Sequence, residues 1–183
     1  RPGEAFSLKI KGEDKWGNPS DQCDETLRIV ASGTIKGLTE TITLTPGRRA
    51  FELDSLSVAD EGRVSVTLVD DAGKVVAASN PLMITDSARV LYWADLHGQS
   101  EETIGTGSAE QYFAFARDLA LVDACGHQGN DFQITDAFWD ELNRLTAEFD
   151  APGRFLALHG CEWSGNTSLG GDRNVYFPNE GRI

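Results

Sequence analysis

Three stretches of the sequence share one design, a short apolar run that ends in side chains able to bind metal. They are residues 90–100 (VLYWADLHGQS), 121–127 (LVDACGH) and 155–162 (FLALHGCE). Segments with helical periodicity separate them, which gives the order strand, helix, strand, helix, strand. Parallel strands in this order bring their carboxyl ends to one edge of a sheet, where α/β barrels form their active sites. Residues 88–183 are therefore predicted to be an α/β domain with a polar site.

Capping signals mark where the two predicted helices begin. Ser108 is an expected N-cap, and Gln111 three residues later completes a capping box. Thr135 is a second expected N-cap, and an apolar stripe follows it at helical spacing. The stripe consists of Phe138, Leu142, Leu145 and Phe149. The same pattern predicts strands at residues 90–94, 121–126 and 154–160, and a fourth strand that begins at residue 174.

Residues 1–87 have the pattern of an all-β domain. Polar and apolar side chains alternate in short runs that turn signals separate, such as the cluster Asp14–Pro19. About seven such strands predict a β-sandwich of the immunoglobulin type. The pattern also resembles bacterial immunoglobulin-like modules. The predicted strands are residues 6–10, 27–30, 41–45, 50–53, 64–69, 74–77 and 81–85.

Composition restricts the partners of the chain. The formal net charge of −13 argues against nucleic acid or an acidic membrane surface as a partner, and no apolar run is long enough to span a membrane. An acidic protein that handles phosphate needs a local cation, for which a bound metal is the usual source. Alternatively, the acidity only keeps the protein in solution. Cys23, Cys125 and Cys161 have no zinc or redox spacing, and buried free thiols are expected.

The chain does not begin with methionine, and it starts and stops as if it were part of something longer. No compartment follows from the sequence, which leaves both the cytoplasm and the periplasm of a bacterium open.

Seven polar residues follow the predicted strands of the second domain. Mixed imidazole and carboxylate ligands suit zinc, manganese or iron. We expect the side-chain heads of His97, His127 and Glu162 within about 8 Å of one point, because ligand bonds are short. The alternative is a polar rim that only solvates the strand ends. The residues are Asp95, His97, Gln99, His127, Asp131, Glu162 and Asp172.

Three of these segments resemble a known superfamily. Residues 95–100 (DLHGQS) resemble the first motif of the PHP (polymerase and histidinol phosphatase) metallohydrolases, and residues 160–164 (GCEWS) resemble the third. Residues 172–177 (DRNVYF) resemble the His-Arg-Asn-Val segment of one branch, the DUF3604 family, in which a β domain also precedes the first motif. The resemblance implies that an immunoglobulin-like sandwich precedes the first part of a distorted (β/α)7, TIM-like barrel.

The resemblance also implies roles for individual residues. It makes Asp95 and Arg173 part of the catalytic group, with Arg173 binding a substrate phosphate or pairing with Asp172. Gln99 and Asp172 stand where the superfamily has histidine, and residues 126–128 (GHQ) stand in place of Thr-Asp-His. The implied cofactor is two or three divalent metal ions in the full-length protein. The implied metal ligands are His97, Gln99, His127, Asp131, Glu162 and Asp172.

The expected function is metal-dependent hydrolysis. The first expectation is a phosphoesterase that cleaves a small phosphorylated molecule with metal-activated water. This chain alone is expected to be inactive and to associate with the rest of the barrel, from the same parent chain or another fragment. One alternative is a non-catalytic binding module with a degenerate barrel, whose β domain recognises a partner or a glycan. Another is an amidohydrolase-type enzyme that cleaves C–N bonds.

Overall fold

The chain folds into two compact units that consist mostly of β-sheet with few helices. The computed structural model describes residues 1–87, 91–165 and 170–180. The units are residues 1–90 and residues 91–183. The sequence pattern changes after residue 87, close to this division. Between residues 1 and 87 the structure contains strands and turns and no helix.

The described residues of the first unit, 1–87, form eight strands. Four of them form an antiparallel sheet in the order β3-β2-β6-β7, and β1 pairs with β4 and β5 with β8. The alternation of side chains along each strand determines which residues form the core. In β2, Leu27 and Ile29 are buried while their neighbours are exposed. The strands are β1 (Phe6–Lys11), β2 (Glu25–Ala31), β3 (Thr41–Leu44), β4 (Ala50–Leu56), β5 (Gly62–Val64), β6 (Val66–Val69), β7 (Val75–Ala78) and β8 (Leu82–Ile84).

The single strand predicted at residues 64–69 is wrong, because Ser65 divides it into β5 and β6, which belong to different sheets. The backbone N–H of Ser65 donates to Ser32 Oγ at 2.9 Å, and its carbonyl accepts from the N–H of Ser32 at 2.9 Å. These bonds satisfy the Ser65 backbone outside both ladders, so the chain passes from one sheet to another without an orphaned group.

The second unit is a four-stranded sheet with helices in its first two connections. The sheet order is β12-β11-β10-β9, in which β9, β10 and β11 are parallel. Helix α1 continues into a π-helical segment, Ala116–Ala120. The elements are β9 (Ala94–Gly98), α1 (Ala109–Phe115), β10 (Ala124–His127), α2 (Asp136–Phe149), β11 (Leu156–Ser164) and β12 (Asp172–Phe177).

The fourth strand does not continue the predicted parallel series. Strand β12 pairs with β11 in antiparallel register, with Glu162 opposite Asn174. Only residues 165–171 separate the two strands, and a parallel crossover needs a dozen or more residues. The four strands form an open sheet, and the described residues show no barrel.

Two strands of the second unit begin later than the sequence predicts. Strand β9 starts at Ala94 and contains the polar motif itself, while Leu91, Tyr92 and Trp93 are exposed; Val90 lies outside the described residues. Strand β10 starts at Ala124, because the N–H of Val122 still bonds to Ala116 O at the end of the π-helical segment. Trp93 already bonds to this segment, since its carbonyl accepts from the N–H of Asp123 at 2.8 Å and its N–H donates to Asp123 Oδ2 at 2.8 Å, but the strand ladder begins only at Ala94.

Both predicted N-caps are confirmed, and the helices bury one side of the sheet. Ser108 Oγ accepts from the N–H of Gln111, whose side chain returns the bond, and Thr135 Oγ1 accepts from Phe138 N. Phe113 is fully buried and stacks on Phe149 with ring centroids 5.5 Å apart. Helix-facing side chains of β10 and β11, including Cys125 and Cys161, complete this core.

The three thiols are free. Cys125 and Cys161 are buried, as expected, and Cys23 is half-buried. Burial raises the pKa of Cys125 to about 12, which keeps it a protonated, unreactive core side chain. Among the described residues no helix is long and apolar enough to cross a membrane.

Candidate functional site

An irregularity in β9 decides which way the first motif faces. Asp95 pairs with Cys125 and Gly98 with His127, so three steps along β9 match two along β10. Such a bulge reverses the alternation of side chains beyond it. Gly98 therefore faces the helices, where an added Cβ would lie 1.9 Å from the Tyr112 ring. His97 consequently faces the opposite side, which we call the inner face.

His97 and Glu162 meet on the inner face near the carboxyl ends of β9 and β11. His97 Nε2 lies 3.9 Å from Glu162 Oε2. The side chain of His97 is 55% exposed and that of Glu162 is 9% exposed, so the pair is open to solvent through the histidine. Two residues that are 65 positions apart in the sequence are thus brought together as the parallel strand order predicts.

Glu162 is held by two side-chain amides. Gln99 Nε2 and Asn130 Nδ2 donate to Glu162 Oε2 at 2.9 Å and 3.0 Å. The other end of the Gln99 amide accepts from Thr103 Oγ1 at 2.8 Å, which fixes its orientation. Gln99 therefore presents a hydrogen-bond donor to the carboxylate, whereas the predicted role of metal ligand would require its oxygen to face the site.

Side chains from β12 reach across the inner face to β9, although these strands are the two edges of the sheet. Tyr176 passes over Gly126 and Gly160, where an added Cβ would lie 3.2 Å and 3.3 Å from its ring. Its hydroxyl donates to the carbonyl of Leu96. Asn174 also reaches β9 and contacts the His97 ring. Glycine on the two central strands makes room for this connection.

His127 lies on the opposite face of the sheet from His97 and Glu162. Extension of the β10–β11 register places His127 on the same side as Cys125, which faces the helices. The His127 ring makes edge contacts with Tyr112 of α1 and Phe138 of α2. Alternation from Cys125 accounts for this orientation, because the bulge lies in β9 and leaves β10 regular.

Both ring nitrogens of His127 form hydrogen bonds within the protein. The N–H of Gly129 donates to Nδ1 at 3.2 Å, so Nε2 carries the proton and donates to Ser100 Oγ at 2.7 Å. The ring is 2% exposed, and burial lowers its pKa to about 4, against a small opposing effect of Glu102. His127 is a neutral core histidine in this arrangement.

Asp95 and Asp131 bind backbone amides. Asp95 Oδ1 accepts from the N–H of His97 at 3.1 Å, which supports the bulge. Asp131 Oδ1 accepts from the N–H groups of Phe132 and Ser164 at 2.9 Å and 3.2 Å. Both carboxylates shape the backbone around the His97–Glu162 pair.

Asp172 and Arg173 lie on opposite faces of β12. Asp172 pairs in register with Ser164, two positions beyond the Glu162–Asn174 pair, so it shares the inner face and is exposed. Arg173 pairs with Trp163 and faces the other side, where its Nη1 donates to Asp172 O at 3.3 Å. Strict alternation along β12 therefore removes Arg173 from the face that holds His97 and Glu162.

Asn130 and Asn174 are the site residues that sequence reasoning missed. The sequence analysis assigns no role to Asn130, and it places Asn174 only at the start of the fourth strand. The signal for Asn174 was its position in the DRNV segment, beside two residues that were assigned roles. Among the described residues no group of three or more His, Cys, Asp or Glu side chains is arranged to hold a metal ion.

Three proteins from Chlamydia are similar to nearly the whole chain, and each carries the name uncharacterised protein. Identity is 25% over 181 residues for the protein of Chlamydia pneumoniae, 25% over 183 for that of Chlamydia muridarum and 26% over 183 for that of Chlamydia trachomatis. Each match covers 96% of this chain but 29% of the relative, so the chain spans less than a third of these proteins. No family model and no solved structure matches the chain.

Proposed function

We propose that the protein is a metal-dependent hydrolase, with a phosphoesterase of small molecules as the first candidate, and that its second unit is the beginning of a PHP-type barrel. The supporting observation is the approach of His97 Nε2 to Glu162 Oε2, 3.9 Å apart at the ends of two parallel strands. The first unit is proposed to be an immunoglobulin-like module. Because the chain spans 29% of its relatives, the activity proposed is that of the whole protein.

The donor atoms of the pair fit two positions of a divalent-cation site. Two ligand atoms with bonds of about 2.1 Å in a tetrahedral arrangement lie roughly 3.4 Å apart, close to the observed 3.9 Å. Asn130, like Gln99, turns its amide N–H₂ to Glu162 and so supports the carboxylate, while its buried Oδ1 has no hydrogen-bond partner among the described residues. Asp172 is exposed on the same face, and we propose that ligands outside this chain complete the site.

A divalent cation at such a site lowers the pKa of water and neutralises charge that develops on a phosphoryl group. The residues of this chain hold and orient the ligands. Gln99 and Asn130 fix the Glu162 carboxylate through their amide N–H groups. Asp95 fixes the backbone at His97, and the exposure of His97 leaves the pair accessible to substrate.

The experiment is to purify the intact protein without chelator, measure its metal content by mass spectrometry and assay hydrolysis of p-nitrophenyl phosphate with added Zn²⁺ or Mn²⁺. We expect His97→Ala and Glu162→Gln to remove both metal binding and hydrolysis. His159→Ala is the matched control, because His159 bonds to Asn143 of α2 on the helix-facing side and its loss should leave activity unchanged. Hydrolysis that persists in His97→Ala would contradict the proposal.

A second candidate is a non-catalytic binding module with a degenerate site. The observation that favours it is that two neutral amides donate to the same Glu162 oxygen, which satisfies the carboxylate without a cation. In that case the purified protein binds no Zn²⁺ or Mn²⁺, and Gln99→His, which restores the histidine of the first motif, should produce metal binding. Stoichiometric metal in the unchanged protein would exclude this candidate.

A further inference from the structure

The contacts of Asn174 determine which of its two amide ends faces His97. Asn174 Nδ2 lies 3.1 Å from the carbonyl oxygen of Leu96. A carbonyl only accepts hydrogen bonds, so the amide N–H₂ must face Leu96. The same carbonyl accepts from the Tyr176 hydroxyl. A flipped amide would place two oxygens against each other, which excludes the alternative orientation.

The orientation of the amide then determines the protonation of the imidazole. Asn174 Oδ1 lies 2.8 Å from His97 Nδ1. Because an amide oxygen only accepts, Nδ1 must carry a hydrogen, and in the neutral ring Nε2 then carries none. The unprotonated Nε2 is the atom that lies 3.9 Å from Glu162 Oε2.

We propose that Asn174 is a positioning residue that holds His97 in the Nδ1–H tautomer, so that the lone pair of Nε2 is directed to the same space as the Glu162 carboxylate. Two acceptor atoms that face each other without a hydrogen between them repel, and a cation placed between them relieves the repulsion. The value of this arrangement for metal binding rests on the proposed function, but the tautomer itself does not.

The structure supplies its own contrast in His127. Its Nδ1 accepts from the backbone N–H of Gly129 and its Nε2 faces Ser100 Oγ, so it is expected in the Nε2–H tautomer. The chain has three histidines, His97, His127 and His159. One molecule therefore contains two histidines with opposite expected tautomers, which makes the assignment testable without any comparison protein.

The test is nitrogen NMR of the imidazoles in the intact protein, labelled with ¹⁵N-histidine, at a pH where all rings are neutral and with chelator present. Replacement of single histidines by glutamine assigns the signals. We expect His97 to carry its hydrogen on Nδ1 and His127 on Nε2. A hydrogen on Nε2 of His97 in the unchanged protein overturns the proposal and requires no variant to fold.

Variants separate positioning from a general structural effect. Asn174→Leu removes the acceptor and should move His97 to a mixture dominated by the Nε2–H form. Asn143→Leu is the matched control, because Asn143 Oδ1 contacts His159 Nδ1 at 2.9 Å. It should change the His159 signals and leave His97 as it was. An unchanged His97 tautomer in Asn174→Leu would overturn the assignment.

Metal titration distinguishes this inference from the proposed function. Loss of such a supporting hydrogen bond typically weakens metal binding by about 10–100-fold, so the dissociation constant for Zn²⁺ should rise by that factor in Asn174→Leu and not in Asn143→Leu. Absence of Zn²⁺ binding together with the Nδ1–H tautomer would refute the function and retain the role of Asn174. Equal Zn²⁺ affinity in both variants would refute its positioning role.

Discussion

Residues 1–90 bury apolar side chains, whereas residues 91–183 also bury a set of polar ones. Every buried polar or charged residue that the structure describes lies in the second unit. Burial of a polar group costs free energy unless it is hydrogen-bonded. The first unit avoids this cost because its described interior is apolar, whereas the second unit must hydrogen-bond its buried polar groups. The set consists of Ser100, His127, Gln128, Asn130, Asn143, Thr146 and Glu162.

The difference separates a scaffold from a candidate site. In the first unit the buried residues of β2 follow from alternation alone. In the second, the polar residues occur on both sides of the sheet: His127 faces the helices, and Glu162 faces inward. Both ring nitrogens of the helix-facing His127 are hydrogen-bonded, while Gln128 Oε1 and Asn130 Oδ1 are buried without a hydrogen-bond partner among the described residues. Incomplete satisfaction therefore distinguishes the candidate site better than polarity does.

The largest expected effect is a pH dependence of stability that the second unit has through His127. Its folded pKa of about 4 lies below the ordinary value of 6.5, so the unfolded chain binds a proton more readily between these values. The stabilising contribution is complete above pH 6.5 and is lost as pH falls towards 4. The difference of about 2.5 pH units corresponds to roughly 3 kcal/mol.

Urea unfolding of the intact protein at a series of pH values measures this contribution. His127→Gln removes the titrating ring, and the variant should lose less stability than the unchanged protein between pH 6.5 and 4. His97→Gln, which removes an exposed ring, is the control and should not alter the slope in this way. Parallel curves for the His127 variant and the unchanged protein would show that the burial of His127 does not govern acid stability.

Local patterns predicted those features of the fold that depend on neighbouring residues. The capping box at Ser108 and the N-cap at Thr135 involve bonds within one helical turn, and both were found. Strand starts were missed where they depend on a partner: the ladder of β9 begins only at Ala94 because its partner β10 begins at Ala124. The break at Ser65 likewise depends on Ser32, which lies in another part of the chain.

The predicted order of the strands was enough to place His97 and Glu162 near each other. It could not show on which face of the sheet each side chain lies. The bulge in β9 turns His97 inward, and Gly98 in the DLHGQS segment is a residue type that marks such bulges, although the sequence prediction did not use it. Without a bulge in β10, His127 stays with Cys125 on the helix-facing side. The role of Asn174 depends on a contact between the two edge strands, 77 positions apart in sequence, which periodicity along one strand does not reveal.

A smaller effect is expected from substitutions at the glycines that let Tyr176 cross the inner face. In Gly160→Ala the new Cβ would lie 2.2 Å from Gln128 Nε2 and 2.5 Å from the backbone oxygen of Val175. Overpacking of this kind costs about 1–3 kcal/mol. Chemical denaturation should show this loss, and the contact of Asn174 with His97 should weaken with it.

Gly33→Ala provides the corresponding change in the first unit. Its Cβ would lie 3.3 Å from Val64 Cγ1, farther than the contacts of 2.2 Å and 2.5 Å at residue 160, so the free energy of unfolding should change by less than in Gly160→Ala. Equal effects of the two substitutions would show that the close packing of the inner face has no special cost.

The smallest effect concerns the helices, which the second unit has and the described part of the first lacks. Ser108→Ala removes the acceptor for Gln111 N–H at 3.2 Å and leaves an orphaned donor in the first turn of α1. Loss of an N-cap of this kind costs about 1 kcal/mol. Thr106→Ala, at an exposed position in the same loop, is the control and should have little effect on the midpoint of urea unfolding.

Because α1 carries Phe113 of the core and Tyr112, which contacts His127, fraying at Ser108 should also speed hydrogen exchange at the His127 amide. Unchanged exchange there would show that the helix end and the buried histidine are not coupled.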